Sequence, residues 1–231
     1  MILILKNETN EGPGLLKEIL DEELIDYKII DLDRNEDLPN NYDFSALVVL
    51  GGPDSANDET DKIKRELDFI LGSVVRGKPY FGICLGMQLL VKALGGKVMK
   101  APLKEIGFRG PDGNFFEVEL TEKGKNSLIF KGMGSRYIVF QLHGETVELT
   151  PEIDLLATGK FVKNQAVGYK DFAFGIQSHF EVTEDYFKML AQEDEDLKKL
   201  DREKLFKDFY LIKDSYIKTG RILFSNFLSI I

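Results

Sequence analysis

The stretch Pro79-Tyr80-Phe81-Gly82-Ile83-Cys84-Leu85-Gly86-Met87-Gln88-Leu89-Leu90-Val91-Lys92-Ala93-Leu94-Gly95-Gly96 decides the fold class. Pro79 to Ile83 reads as a short buried strand, and Gly86 to Leu94 reads as a helix ended by Gly95-Gly96. Only one sharp turn separates them, and Cys84 sits on it. Upstream, Ala46-Leu47-Val48-Val49-Leu50 is a continuous apolar run stopped by Gly51-Gly52-Pro53. Such runs suit strands covered on both faces, as in parallel sheets. Ile2 to Leu5 and Tyr27 to Ile30 read as two more strands. Gly12-Pro13-Gly14 opens a helix to about Leu20, and Thr60 to Val75 carries helical spacing at Ile63, Leu67, Ile70, Leu71 and Val74. The order β-α-β-β-α-β-α predicts an α/β fold of three layers, with a mostly parallel central sheet and flanking helices.

From Phe115 the texture changes. Phe115–Leu120, Tyr137–Gln141, Leu155–Ala157, Ala166–Tyr169 and Phe172–Ser178 read as short strands, expected as hairpins at the side or edge of the main sheet. From Thr183 onward the chain is helical in pattern and highly charged. Leu205, Phe206, Phe209, Ile212 and Tyr216 form one apolar stripe, expected to pack on the domain rather than dock a partner. With no repeat, low-complexity tract or linker, residues 1–231 are expected to form a single domain, with 191–231 as a helical C-terminal extension.

A chain of 231 residues can bury a core without covalent staples. Lys and Arg total 30 against 39 Asp and Glu, a formal net charge of −9. That balance argues against a nucleic-acid partner, which needs a basic face. No run approaches the roughly 18 apolar residues of a membrane span. Met1 to Leu5 is apolar, but Lys6 follows at once, short of the roughly 7–15 apolar residues of a secretory leader. The single cysteine excludes an intrachain disulfide and fits a reducing compartment. A cytoplasmic location, with no membrane partner, is the expectation.

The scarce reactive residues lie in telling places. The chain has one Cys and two His. Gly82-Ile83-Cys84-Leu85-Gly86 is a G-x-nucleophile-x-G elbow with Cys in the place of Ser. A sharp strand-to-helix turn crowds the positions two before and two after the nucleophile, so glycine is demanded at both. The turn also places the sulfur at a helix N-terminus, where dipole and free N–H groups favour a thiolate. In Gly175-Ile176-Gln177-Ser178-His179-Phe180-Glu181, period-2 geometry puts His179 and Glu181 on one face. A carboxylate there fixes the imidazole tautomer and leaves the other nitrogen for Cys84. Leu50-Gly51-Gly52-Pro53-Asp54-Ser55 ends a neighbouring strand, and the Gly52 and Leu85 N–H groups are the candidate oxyanion pair. Gly-Gly-x-Asp-Ser also resembles a pyrophosphate loop, but Pro53 removes an N–H donor and the flanking acids make a poor phosphate cradle. His143, in Gln141-Leu142-His143-Gly144-Glu145, reads as a second catalytic group or a pocket wall, since Cys84, His143 and His179 lack metal-ligand spacing. Gln88 lies one turn after Cys84 on the same side of the helix.

Together, Gly51-Gly52-Pro53, Gly82-Ile83-Cys84-Leu85-Gly86-Met87-Gln88, His143-Gly144-Glu145 and Gly175-Ile176-Gln177-Ser178-His179-Phe180-Glu181 resemble the class I glutamine amidotransferase family. The likeness covers about residues 1–190 and is strongest to stand-alone members related to the amidotransferase domain of GMP synthase. It implies a flavodoxin-like α/β fold and a Cys84–His179–Glu181 triad. It further implies an oxyanion hole on the backbone of Gly52 and Leu85, and a γ-glutamyl pocket touching Gln88 and the backbone at Leu142 and His143. Leu142 and Glu145 stand where relatives often carry Trp and Asp. The implied reaction is hydrolysis of the glutamine γ-amide through a Cys thioester, with no cofactor and no metal. The ammonia is expected to be released alone or to a synthase subunit as partner. The alternatives are a γ-glutamyl peptidase or hydrolase, whose γ-glutamyl small molecule would be a γ-glutamyl peptide or conjugate, and a non-catalytic regulatory module.

Overall fold

The computed structural model describes all 231 residues, Met1–Ile231. In chain order the elements are β1 (Ile2–Lys6), α1 (Gly14–Glu22), β2 (Tyr27–Asp31), β3 (Ala46–Val49), α2 (Asp61–Val75), β4 (Tyr80–Ile83) and α3 (Leu85–Ala93). Then follow β5 (Lys97–Gly107), β6 (Glu117–Leu120), the short α4 (Glu122–Lys125), β7 (Arg136–Ile138), β8 (Gln141–Glu148), β9 (Asp154–Gly159), β10 (Asn164–Tyr169) and β11 (Ala173–Ile176). Two helices close the chain, α5 (Glu184–Glu193) and α6 (Arg202–Leu228).

Nine strands form one mixed sheet in the order β2-β1-β3-β4-β11-β10-β9-β6-β7. The first five are mutually parallel, and the other four extend the sheet antiparallel. Alternation along each central strand divides the core in two. Ile2, Ile4, Val48, Phe81, Ile83 and Phe174 face the side covered by α1, α5 and α6. Leu3, Leu5, Leu47, Val49 and Tyr80 face the side covered by α2 and α3. Continuous apolar strands thus mark a sheet buried on both faces, as expected from the sequence. Thr60 caps α2, its side chain accepting from the Ile63 N–H. The α6 stripe of Leu205, Phe209, Ile212 and Tyr216 belongs to the same core cluster as the sheet.

Two expectations need correction. The segment Phe172–Ser178 is not an edge hairpin: β11 sits inside the sheet, parallel to β4, and β10, β9, β6 and β7 continue outward from it. Pairing between strands so far apart in sequence leaves no local signal. The second concerns the region that does stand apart, a two-stranded sheet of β5 with β8. Lys97–Gly107 escaped the sequence reading because it has no apolar run. Its register with β8 breaks between Lys100 and Glu105, around Pro102.

Candidate active site

Cys84 joins β4 to α3 with φ 50° and ψ −106°. A left-handed φ is costly for a residue with a side chain and clusters at functional sites. The flanking glycines have the steric job expected of them. A Cβ on Gly82 would lie 2.5 Å from the Gly86 carbonyl carbon and oxygen, and one on Gly86 would lie 2.2 Å from the Val49 oxygen. The thiol is buried but not sealed, at 7% exposure, at the N-terminus of α3.

His179 reaches the thiol from the neighbouring strand. Gly175 pairs with Gly82 and Ile176 with Ile83, and the Cys84 N–H donates to the Ile176 oxygen at 2.8 Å. The backbone of His179 is held on both sides. Its N–H donates to Phe140 O at 3.1 Å, and the Tyr216 hydroxyl of α6 donates to its carbonyl oxygen. Nδ1 of the ring lies 2.6 Å from Glu181 Oε1, and the carboxylate accepts, so Nδ1 carries the proton. Nε2 is buried without a hydrogen-bond partner. The imidazole and Cys84 stand side by side over Gly51, whose missing Cβ would lie 3.2 Å from His179 Cε1 and 3.5 Å from Cys84 Cβ. Burial disfavours a charged imidazole, but Glu181 and the Cys84 sulfur beside it outweigh burial and hold the His179 pKa well above its ordinary value.

A cavity of about 710 Å³ opens over this group. Gly52, Leu85, Gln88, Leu142 and His143 line it together with Cys84 and His179. Every sequence-predicted site residue except Glu181, which lies behind His179, therefore borders one space. The Gly52 N–H donates to no protein acceptor, and Leu85, as the first residue of α3, has no intrahelical acceptor for its own. Gln88 Nε2 faces Gln177 Oε1 at 3.3 Å and Glu145 O at 3.5 Å. The His143 ring is turned away from chemistry. Its Nδ1 contacts Glu145 O and its Nε2 contacts Glu105 Oε2, both at 2.9 Å. It is a wall residue, and no three His, Cys, Asp or Glu side chains are grouped to hold a metal ion.

Several neighbours were missed by sequence reasoning. Gln177 Nε2 donates to Cys84 Sγ at 3.4 Å. Glu105 fixes His143 and accepts from Gln165 Nε2 at 2.9 Å. Ser55 donates to Glu145 and so ties the Gly51-Gly52 loop to the β8 wall. Glu11, from the loop before α1, also lines the cavity; burial raises its pKa, against the pull of His179. Gln177 stood within a quoted motif at an alternating position, but Glu11 carried no signal.

Fold and site together define an α/β protein with a thiol elbow of the hydrolase kind, faced by a histidine–carboxylate pair. Residues 15–194 match the family model of glutamine amidotransferase class-I, and the chain belongs to that family. It is 33% identical over 159 residues to the glutamine amidotransferase-like protein YfeJ of Salmonella typhimurium, across 67% of this chain and 64% of YfeJ. It is 32% identical over 142 residues to one subunit of the glutamine-hydrolyzing GMP synthase of Sulfurisphaera tokodaii, across 61% of this chain and 69% of that one. The match thus spans just under two thirds of YfeJ. Among solved structures, a glutamine amidotransferase from Thermotoga maritima superimposes with a TM-score of 0.86 at 27% identity, over 98% of this chain and 96% of the other. One from Methylobacillus flagellatus shares the fold with a TM-score of 0.88 at 24% identity, over 100% of this chain and 94% of that one. No helix is long and apolar enough to cross a membrane.

Proposed function

We propose that this protein hydrolyses the γ-amide of glutamine to glutamate and ammonia through a γ-glutamyl thioester on Cys84. The observation that carries the reading is the buried, unpartnered Nε2 of His179 beside Cys84, with Nδ1 fixed on Glu181. In this mechanism the Cys84 thiolate attacks the amide carbon, and the Gly52 and Leu85 N–H groups receive the oxyanion. The C–N bond breaks as His179 gives its Nε2 proton to the departing ammonia. Water then gives a proton to Nε2 and attacks the thioester, expelling the sulfur as thiolate, releasing glutamate and restoring the thiolate beside a protonated His179. Gln88 and the backbone at Leu142 and His143 hold the γ-glutamyl group. Glu181 orients the imidazole and stabilises its charged form.

The likeness to a single subunit of a GMP synthase suggests that the ammonia passes to a synthase partner. The lone reduced thiol fits work in the cytoplasm. The roomy, open cavity favours one second reading, a γ-glutamyl hydrolase that takes a larger leaving amine. Product release by the purified protein over glutamine and a panel of γ-glutamyl peptides, with Cys84→Ala as the blank, decides between them. Glutamine preference supports the first reading, and peptide preference supports the second. Full activity in Cys84→Ala overturns both. Silence of the wild type, with a Cys84 thiol no more reactive toward alkylation than a free thiol, marks a non-catalytic module.

A further inference from the structure

A second buried polar pair stands directly behind the Gly52 loop. Asn7, at the end of β1, is 1% exposed and Glu66, in α2, is 0% exposed. Gly52 rests on Asn7: a Cβ on Gly52 would come within 2.6 Å of Asn7 Cβ. Asn7 Nδ2 donates to Glu66 Oε1 at 2.9 Å and reaches Leu50 O at 3.5 Å. The Asn7 carbonyl accepts from Lys62 Nζ at 2.8 Å, and the same ammonium pairs with Asp54 at 2.7 Å. The loop carrying Leu50, Gly52 and Asp54 is thus secured to Asn7 on both sides of Gly52.

This arrangement leaves two oxygens over. Asn7 Oδ1 and Glu66 Oε2 are both buried and both lack a partner. Flipping the amide does not help, because Nδ2 already faces two acceptors. An ionised carboxylate has nothing to offer Asn7 Oδ1. A protonated one has a single O–H, on the oxygen left unpartnered.

We propose that Glu66 is carried as the neutral acid, that its Oε2–H donates to Asn7 Oδ1, and that this amide–acid pair positions the Gly52 N–H toward the oxyanion. The inference rests on the glutaminase reading, in which Gly52 is an oxyanion donor. Burial pushes Glu66 up to about 7, against the lowering effects of the Asn7 hydrogen bond and of Lys62, and Asp54 adds to the rise. Tyr80 of β4, whose hydroxyl donates to Gly86 O, is the other titratable group facing Glu66. When Glu66 ionises, the ring opens and the loop loses its brace. Glu66 touches no substrate and is a positioning residue.

Two variants separate the proton from the shape. Glu66→Gln reproduces the acid, its amide donating to Asn7 Oδ1 and accepting from Asn7 Nδ2. Glu66→Leu fills the space and donates nothing. Thermal unfolding is followed from about pH 5.5 to about pH 8.5 for all three proteins, with kcat and KM for glutamine at each end. The folded pKa lies above the unfolded one, so wild-type stability falls relative to Glu66→Gln as pH rises toward 7 and then levels. The expected drop in Tm against Glu66→Gln is roughly 5 °C. Glu66→Leu is expected to lose kcat about tenfold with a smaller change in KM, and Glu66→Gln to restore it. A gap between wild type and Glu66→Gln that is constant with pH removes the proton and overturns the proposal. A kcat loss in Glu66→Gln equal to that in Glu66→Leu overturns the positioning role. Absence of turnover in the wild type sinks the glutaminase reading and the oxyanion role with it, while the melting series still decides where the proton is.

Discussion

Tyr216→Phe isolates the link between α6 and the candidate base. Tyr216 is 2% exposed, and its ring stacks on Phe180 with centroids 5.3 Å apart at 25°. Phenylalanine keeps that stack and the volume and deletes only the hydroxyl. Burial holds the hydroxyl well above the ordinary phenol pKa, so it is a neutral donor at every working pH. Its acceptor is the His179 carbonyl, which receives no backbone N–H. The variant therefore leaves a buried carbonyl bare, at a cost of about 1–3 kcal/mol. For a domain of this size that amounts to a fall in Tm of roughly 2–12 °C. Freed on one side, the His179 backbone lets the imidazole drift, and kcat for glutamine should fall about tenfold with little change in KM. Tyr210→Phe is the control, because Tyr210 is half-exposed and its hydroxyl meets Glu184 at the surface; its change should stay within about 0.5 kcal/mol. Thermal unfolding and steady-state glutaminase assays on both variants test the reasoning. A Tyr216→Phe protein that melts and turns over like Tyr210→Phe would refute it.

Two further outcomes follow from the site. Gly86→Ala drives a Cβ to 2.2 Å from the Val49 oxygen, so backbone must move; urea unfolding should show a loss of about 1–3 kcal/mol or more, together with lost turnover. Glu181→Gln removes the charge that holds the His179 pKa up. Its turnover should fall at least about a hundredfold, and the alkaline limb of Cys84 alkylation against pH should move toward lower pH as the imidazolium becomes easier to deprotonate.

What was legible in the sequence was local. The elbow declared itself because strand, cysteine and helix are contiguous and the two glycines are forced by one turn. The apolar runs of β1, β3 and β4 are a direct imprint of burial on both faces. The place of β11 was not legible, because its partner β4 lies far away in sequence and pairing of that range leaves no pattern in either strand. The β5–β8 sheet was missed because its exposed faces are polar and one strand is interrupted by Pro102. Glu66 could have been found. It falls on the apolar stripe of α2 between Ile63 and Ile70, where a charge is out of place. Asp208 sits likewise beside Phe209 on the buried face of α6, and there it meets Arg109 through two bonds of 2.7 Å. A charged residue on a core stripe is the signal to look for. Gln177 alternates with His179 and Glu181, which hinted at a shared face, but its contact with Cys84 crosses the sheet and shows only in the fold.

The sheet order also sets a timetable for biosynthesis. Cys84 and Gln177 lie 93 residues apart, yet their strands are neighbours. A ribosome adding about 5–20 residues per second makes β4 roughly 5–20 s before β11 exists to pair with it. Throughout that interval β4 offers an open edge to any passing strand, and Cys84 has neither His179 nor Gln177 beside it. The clamp from Tyr216 emerges later still. Chain order thus keeps the thiol unarmed on the nascent polypeptide. It also concentrates the risk of mispairing in translation, when the centre of the future sheet is for a time its margin.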